Sequence, residues 1–130
     1  MNKEDLEKRT KQFALDALQW VSSLRKDRSS DVLCRQLLRS ATSIGANYRE
    51  ANRAESTEDF IHKIALVEKE ASETVYWLEL MEGIDLGEPQ KRSALQKESV
   101  ELLSIFCAIG KTTKRNRKLY PGKISARKSK

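Results

Sequence analysis

The chain has 130 residues, of which 38% are hydrophobic and 34% charged, with only five Gly and two Pro. That length sets a single domain with its own core, and high charge with few helix breakers fits a helical protein. No run of about 18 apolar residues occurs, so no membrane span is expected.

The N-terminal "MNKEDLEKRTKQF" carries acids and lacks an apolar centre, unlike a signal peptide. Cys34 and Cys107 have neither metal-ligand spacing nor a disulfide-dense context, so they read as reduced, mostly buried thiols of a cytoplasmic protein. The net charge of +6 is unevenly spread. The last acid is Glu101, and nine bases follow from Lys111 onward, leaving residues 1–110 with a net charge of −3. A mildly acidic body with a strongly basic end points to an acidic partner or a solvated tail.

Four amphipathic stretches follow in order. The first, about 4–26, sets Leu6, Phe13, Ala14, Ala17, Trp20, Val21 and Leu24 on one face. "KDRSS" then breaks the pattern, with Ser30 or Asp31 expected to cap the next helix. The second stretch, about 31–53, aligns Leu33, Leu37, Ala41, Ile44, Tyr48 and Ala51. The third opens at Ser56 with Asp59 in a capping-box spacing, and carries Phe60, Ile64, Val67, Ala71, Leu78 and Met81 to about residue 81. "EGIDLGEP" breaks the chain, and Pro89 suits a first helical position of a fourth stretch, about 89–116, with Leu95, Leu102, Leu103, Phe106 and Ile109 inward. No alternating strand pattern occurs. Four similar helices on short loops predict an all-α, up-down-up-down antiparallel four-helix bundle over residues 1–118, with residues 119–130 a basic disordered tail.

Residues outside the core stripes carry the functional signal. Gly45, one turn after Ala41, makes a small-residue patch for close approach of another helix, within the bundle or in a special role. Asn47 lies on the other flank and needs a hydrogen-bond partner where buried. Arg35, Arg39, Arg49 and Arg53 form two i, i+4 pairs on the outward face of the second stretch. They read either as a solvated face ion-paired to Glu50 and the Glu-rich third stretch, or as a stripe for RNA or a partner. The third stretch has a second apolar face, Leu66, Trp77 and Leu80 with Tyr76 nearby, which points to self-association, a thick core or a partner protein. Glu70 and Glu73 flank that face and are placed to meet the arginines of another copy, a head-to-tail contact able to close into a ring.

Catalytic signals are weak. His62 is the only histidine, and Asp59-x-x-His62 occurs once where a di-iron bundle needs the motif twice. Phosphate-loop and nucleophile-elbow motifs are absent. Glu68, Glu79 and Glu82 read as a solvated or ion-paired face sooner than a polar pocket. No enzyme, cofactor or metal is expected. Lys111, Lys114, Arg115, Arg117 and Lys118 exceed what a helix C-terminus requires. They form the best nucleic-acid signal, with Tyr120 available to stack on a base.

The stretch "RSATSIGANYREANRAESTEDFIHKIALVEKEASETVYWLELM" resembles the four-helix-bundle family of 23S rRNA intervening-sequence proteins. The residues that carry the resemblance are Ser43, Ile44, Asn47 and Glu50, then Asp59, Phe60, Ala65, Lys69, Glu70 and Glu73. "NYREA" stands where many members read closer to "NIAEG". The resemblance implies a barrel-like homo-oligomer, a pentamer in relatives, and a link to RNA through the insertion of such genes in 23S rRNA genes. The similar accessory variability determinant proteins of retroelements work with a reverse transcriptase and its RNA. Two functions follow as expectations: a non-catalytic ring that binds RNA or DNA, or a scaffold that recruits a partner enzyme.

Overall fold

The computed structural model describes residues 1–119; residues 120–130 of the expected disordered tail, with Tyr120 and the last four bases, lie outside the described residues, whereas Leu119, expected in that tail, is helical. Four helices run in order: α1 (Lys3–Ser22), α2 (Arg28–Ala51), α3 (Thr57–Gly83) and α4 (Pro89–Leu119). Each packs against its two neighbours in a cycle, and α1 and α4 meet most sparingly. The expected four-helix bundle is the observed fold, and α4 runs three residues beyond the expected end at residue 116.

Local chemistry sets the boundaries. The Asn2 side chain accepts from the Asp5 N–H at 2.8 Å and Asp5 returns the bond to Asn2 at 3.3 Å, so α1 starts on a capping box. At its far end α1 stops at Ser22, four residues before the expected end, because Lys26 folds back and donates to the Val21 carbonyl at 3.0 Å. A lysine on terminal carbonyls suits the helix dipole. The cap of α2 is Asp27, not Ser30 or Asp31. The Asp27 carboxylate accepts the Ser30 N–H at 2.9 Å while the Ser30 hydroxyl accepts the Asp27 N–H at 2.8 Å, which draws "RSS" into the first turn. Ser56 caps α3 as expected, accepting from the Asp59 N–H at 3.0 Å, but the Asp59 carboxylate reaches the Glu55 N–H at 3.2 Å instead of Ser56. In the α3–α4 loop Asp85 and Gly87 both adopt left-handed backbone, with φ of 54° and 76°. Gly87 is required there twice over, since a Cβ would fall 2.7 Å from Trp20 Cζ2.

The core holds the expected aromatic and aliphatic residues, with Phe13, Leu37, Ile44, Tyr48, Phe60, Ile64, Leu78, Met81, Leu102 and Phe106 all buried. Tyr48 and Phe106 meet edge to face across the bundle, ring centroids 5.1 Å apart. Ala14, Leu24, Leu33, Leu103 and Ile109, expected inward, are only partly buried at the seams. Apart from Ser30 in the α2 cap, four hydroxyl residues are buried between the helices, Thr10, Ser40, Thr74 and Ser99. Each hydroxyl bonds a carbonyl one turn back in its own helix, which satisfies it without a partner helix. Thr74 Oγ1 and Ser40 Oγ also lie 2.8 Å apart, a buried contact between α3 and α2 in which the Thr74 proton is shared between Ser40 and the Glu70 carbonyl.

Candidate nucleic-acid interface

Antiparallel packing gathers the start of α1, the end of α2, the start of α3 and the end of α4 at one end of the bundle. Lys111, Lys114, Arg115 and Lys118 are exposed there. Their spacing of three, four and seven residues puts them on one face of α4, over a span of about 10 Å. None of the four makes an ion pair among the described residues. Arg117, on the inward side of the same segment, donates to both oxygens of Glu58 at 2.8 and 3.0 Å and fastens the end of α4 to the first turn of α3.

The arginines of α2 divide. Arg53 is exposed at the basic end and makes no ion pair among the described residues, while Arg49 lies a loose 3.9 Å from Glu7. Arg35 sits at the opposite end, paired within its helix to Asp31. Arg39, midway along, is held by Glu70 at 3.1 Å and by Glu73, and the Glu73 hydrogen bond raises its pKa. Glu70 and Glu73 therefore meet an arginine of their own chain, in line with the ion-paired reading of the α2 arginines.

The second apolar face of α3 also divides. Trp77 and Leu80 are partly buried, with Trp77 packed against the core and its Nε1 buried without an acceptor among the described residues. Leu66 and Tyr76 are the exposed part, at 37% and 52%, and Tyr76 tilts against Trp77 with centroids 5.3 Å apart.

Residues of the motif region serve the helices. Ile44 and Phe60 are core. Ser43 donates to the Arg39 carbonyl at 2.6 Å and Asn47 to the Ser43 carbonyl at 3.0 Å, so the Asn47 amide finds its partner in its own helix. Glu50 points to solvent. Both Asp59 oxygens accept from Lys63 at 2.9 Å, and that bond, with the Glu55 N–H, holds the Asp59 carboxyl below the ordinary aspartate value. His62 is exposed beside it. Glu82 takes Gln96 at 3.0 Å, Glu79 is exposed, and Glu68 lies against Gly110 and Cys107, so the three glutamates share no pocket. Burial, then the bond to Glu68, pushes the Cys107 thiol up, and burial does the same to Cys34. Among the described residues no three His, Cys, Asp or Glu gather as a metal site, and no helix is long and apolar enough to cross a membrane.

The buried hydroxyls went unread in the sequence although their spacing marks them. Thr10 falls four after Leu6 and three before Phe13, and Thr74 three after Ala71 and four before Leu78. The division among the arginines has no such signal, because it depends on which α3 acids lie opposite each one.

The family model of the 23S rRNA-intervening sequence protein matches residues 3–108, ending before Lys111. A crystal structure at 1.70 Å of a protein of unknown function from the S23 ribosomal protein family of Bacteroides thetaiotaomicron VPI-5482 is similar with a TM-score of 0.77. The two are 34% identical, over 85% of this chain and 99% of that one. No curated protein matches the chain. With the match spanning all four helices, the chain belongs to the 23S rRNA-intervening sequence protein family.

Proposed function

We propose that this protein is a non-catalytic, cytoplasmic homo-oligomer that binds RNA, or another nucleic acid, at the basic end of the bundle. The observation that supports this reading is the unpaired face of Lys111, Lys114, Arg115 and Lys118, with Arg53 at the same end. Like charges a turn apart repel, so an external anion bound across the four relieves that repulsion. A phosphate backbone supplies anions at matching density and is read without sequence preference. Arg35 and Arg39 leave the contact set because acids of their own chain hold them.

The test is fluorescence anisotropy with a single-stranded RNA of mixed sequence. Replacing Lys111, Lys114, Arg115 and Lys118 by Gln weakens affinity at least tenfold, while Arg35→Gln leaves it unchanged. Equal affinity of the fourfold variant and the wild type removes the proposed interface. All four side chains are exposed, so circular dichroism of the variant stays that of the wild type.

A second reading, a scaffold that recruits a partner enzyme such as a reverse transcriptase, draws on the exposed Leu66 and Tyr76 of α3. The same residues support self-association: Leu15 and Leu18 are exposed on α1, so the bundle carries two separate apolar faces, as a head-to-tail ring of five copies requires.

A further inference from the structure

Exposed apolar side chains of α1 and α3 stand at one level of the bundle. Thr10 lies against Gly45, where a Cβ would fall 3.1 Å from Thr10 Oγ1, and Ser40 Oγ lies 2.8 Å from Thr74 Oγ1. These two contacts fix the register of α1 on α2 and of α2 on α3. Neighbouring helices run antiparallel with the same rise per residue, so heights follow by counting away from each contact. Leu18 falls beside Leu37 and Leu38, and Tyr76 beside Leu38. By the same count Lys11 is level with Glu70, and Arg35 with Glu79.

The two faces are opposite in charge. On α1, Lys11, Leu15 and Leu18 form an exposed stripe at helical spacing. Beside it on α2, Thr42 is short and exposed and Leu38 is partly buried, so the seam is a shallow apolar trough. Lys11 bounds the trough at one end and Arg35 at the other, and the nearby acids Glu7 and Asp31 are engaged by Asn52 and Arg35. On α3 the signs are reversed. Tyr76, the only aromatic exposed among the described residues, stands between Glu73 and Glu79. Glu79 is exposed and makes no ion pair among the described residues, while Glu70 and Glu73 each hold Arg39 through one oxygen only. As a whole α3 carries seven acids against two bases, and α2 four bases against two acids.

We propose that in the homo-oligomer, on whose existence this pairing rests, the α1–α2 trough of one copy receives the Tyr76 face of α3 from the next. The matched levels select a second copy as the occupant. A rotation about an axis along the bundle leaves every height unchanged, so it brings Tyr76 to Leu18 and Leu38, and Glu79 to Arg35, in one step. An unrelated protein has no reason to share those levels. An exposed tyrosine in an apolar trough rimmed by opposite charge is the usual anatomy of an interface centre. The giving and receiving faces differ, so the contact is head-to-tail and each copy keeps one free face until a ring closes. Copies related in this way carry their basic ends on one rim.

Sedimentation equilibrium of the full chain tests the pairing with two variants, Leu15→Glu combined with Leu18→Glu, and Tyr76→Glu alone. All three side chains are exposed, and circular dichroism unchanged from wild type verifies each fold. Wild type sediments above one chain, and either variant by itself as one chain. Mixed in equal amounts, the two variants form a species of two chains and no larger, because the intact trough of one takes the intact Tyr76 of the other. A mixture that stays at one chain or grows beyond two, or either variant at wild-type mass, overturns the pairing while the homo-oligomer stands. A wild type of one chain removes the homo-oligomer reading, and the pairing with it.

Discussion

Gly45 sets the distance between α1 and α2. A Cβ there would lie 3.1 Å from Thr10 Oγ1 and 3.3 Å from Thr10 Cβ, and Thr10 is fixed by bonds to the Leu6 and Glu7 carbonyls, both at 3.0 Å. The close approach that "SIGANYREA" anticipates is thus made inside the bundle. Gly45→Val is expected to destabilise the fold by about 2–3 kcal/mol in urea unfolding, through overpacking. Thr10→Ala in the same chain recovers part of that loss, since the two side chains share the space. A Gly45→Val variant as stable as wild type contradicts this packing. Asp27 gives a second residue-scale prediction. The Ser30 N–H and hydroxyl hold its carboxyl below the ordinary aspartate value. A depressed folded-state pKa means the contribution is complete above the unfolded value and is lost as pH falls through the folded one. Asp27→Asn keeps the cap but lacks that titration, so the stability gap between wild type and variant should narrow on acidification; a gap constant from pH 7 to pH 3 rejects the assignment.

At the scale of elements, the α1–α4 seam leans on charge. Arg9 donates through Nε and Nη2 to Glu98 at 2.7 and 2.8 Å and reaches Glu101 at 2.9 Å, and the Glu98 bond foremost raises its pKa. These side chains are partly exposed, so water screens the pair. Arg9→Gln should therefore cost only about 1 kcal/mol in urea unfolding, with faster amide exchange in α1 than in α2; uniform exchange across the bundle contradicts the assignment. Helix periodicity made the four elements and nearly all core positions legible. Their ends were not, because Lys26 on the Val21 carbonyl and the Asp27–Ser30 exchange depend on individual side chains. The basic face of α4 was legible as charge alone. That Glu58 withdraws Arg117 from it needed the facing helix, as did which of the α2 arginines the α3 acids hold.

At the scale of the molecule, family membership rests on residues 3–108, whereas the proposed nucleic-acid face begins at Lys111. The bundle and its basic end are accordingly separable by mutation. For the proposed homo-oligomer, Leu66→Glu with Tyr76→Glu puts charge on two exposed apolar positions of α3 without touching the core, and should reduce the mass in sedimentation equilibrium to that of one chain; a mass above one chain that the variant leaves undiminished contradicts this contact. The most direct test of the account is the salt dependence of RNA affinity for the wild type and for the variant with Lys111, Lys114, Arg115 and Lys118 changed to Gln. Each phosphate contact on a single strand contributes a slope of about 0.7 in log affinity against log salt, so the fourfold variant should be shallower by about 3. An identical slope in the two proteins, or no binding by the wild type at about 50 mM salt, would contradict it.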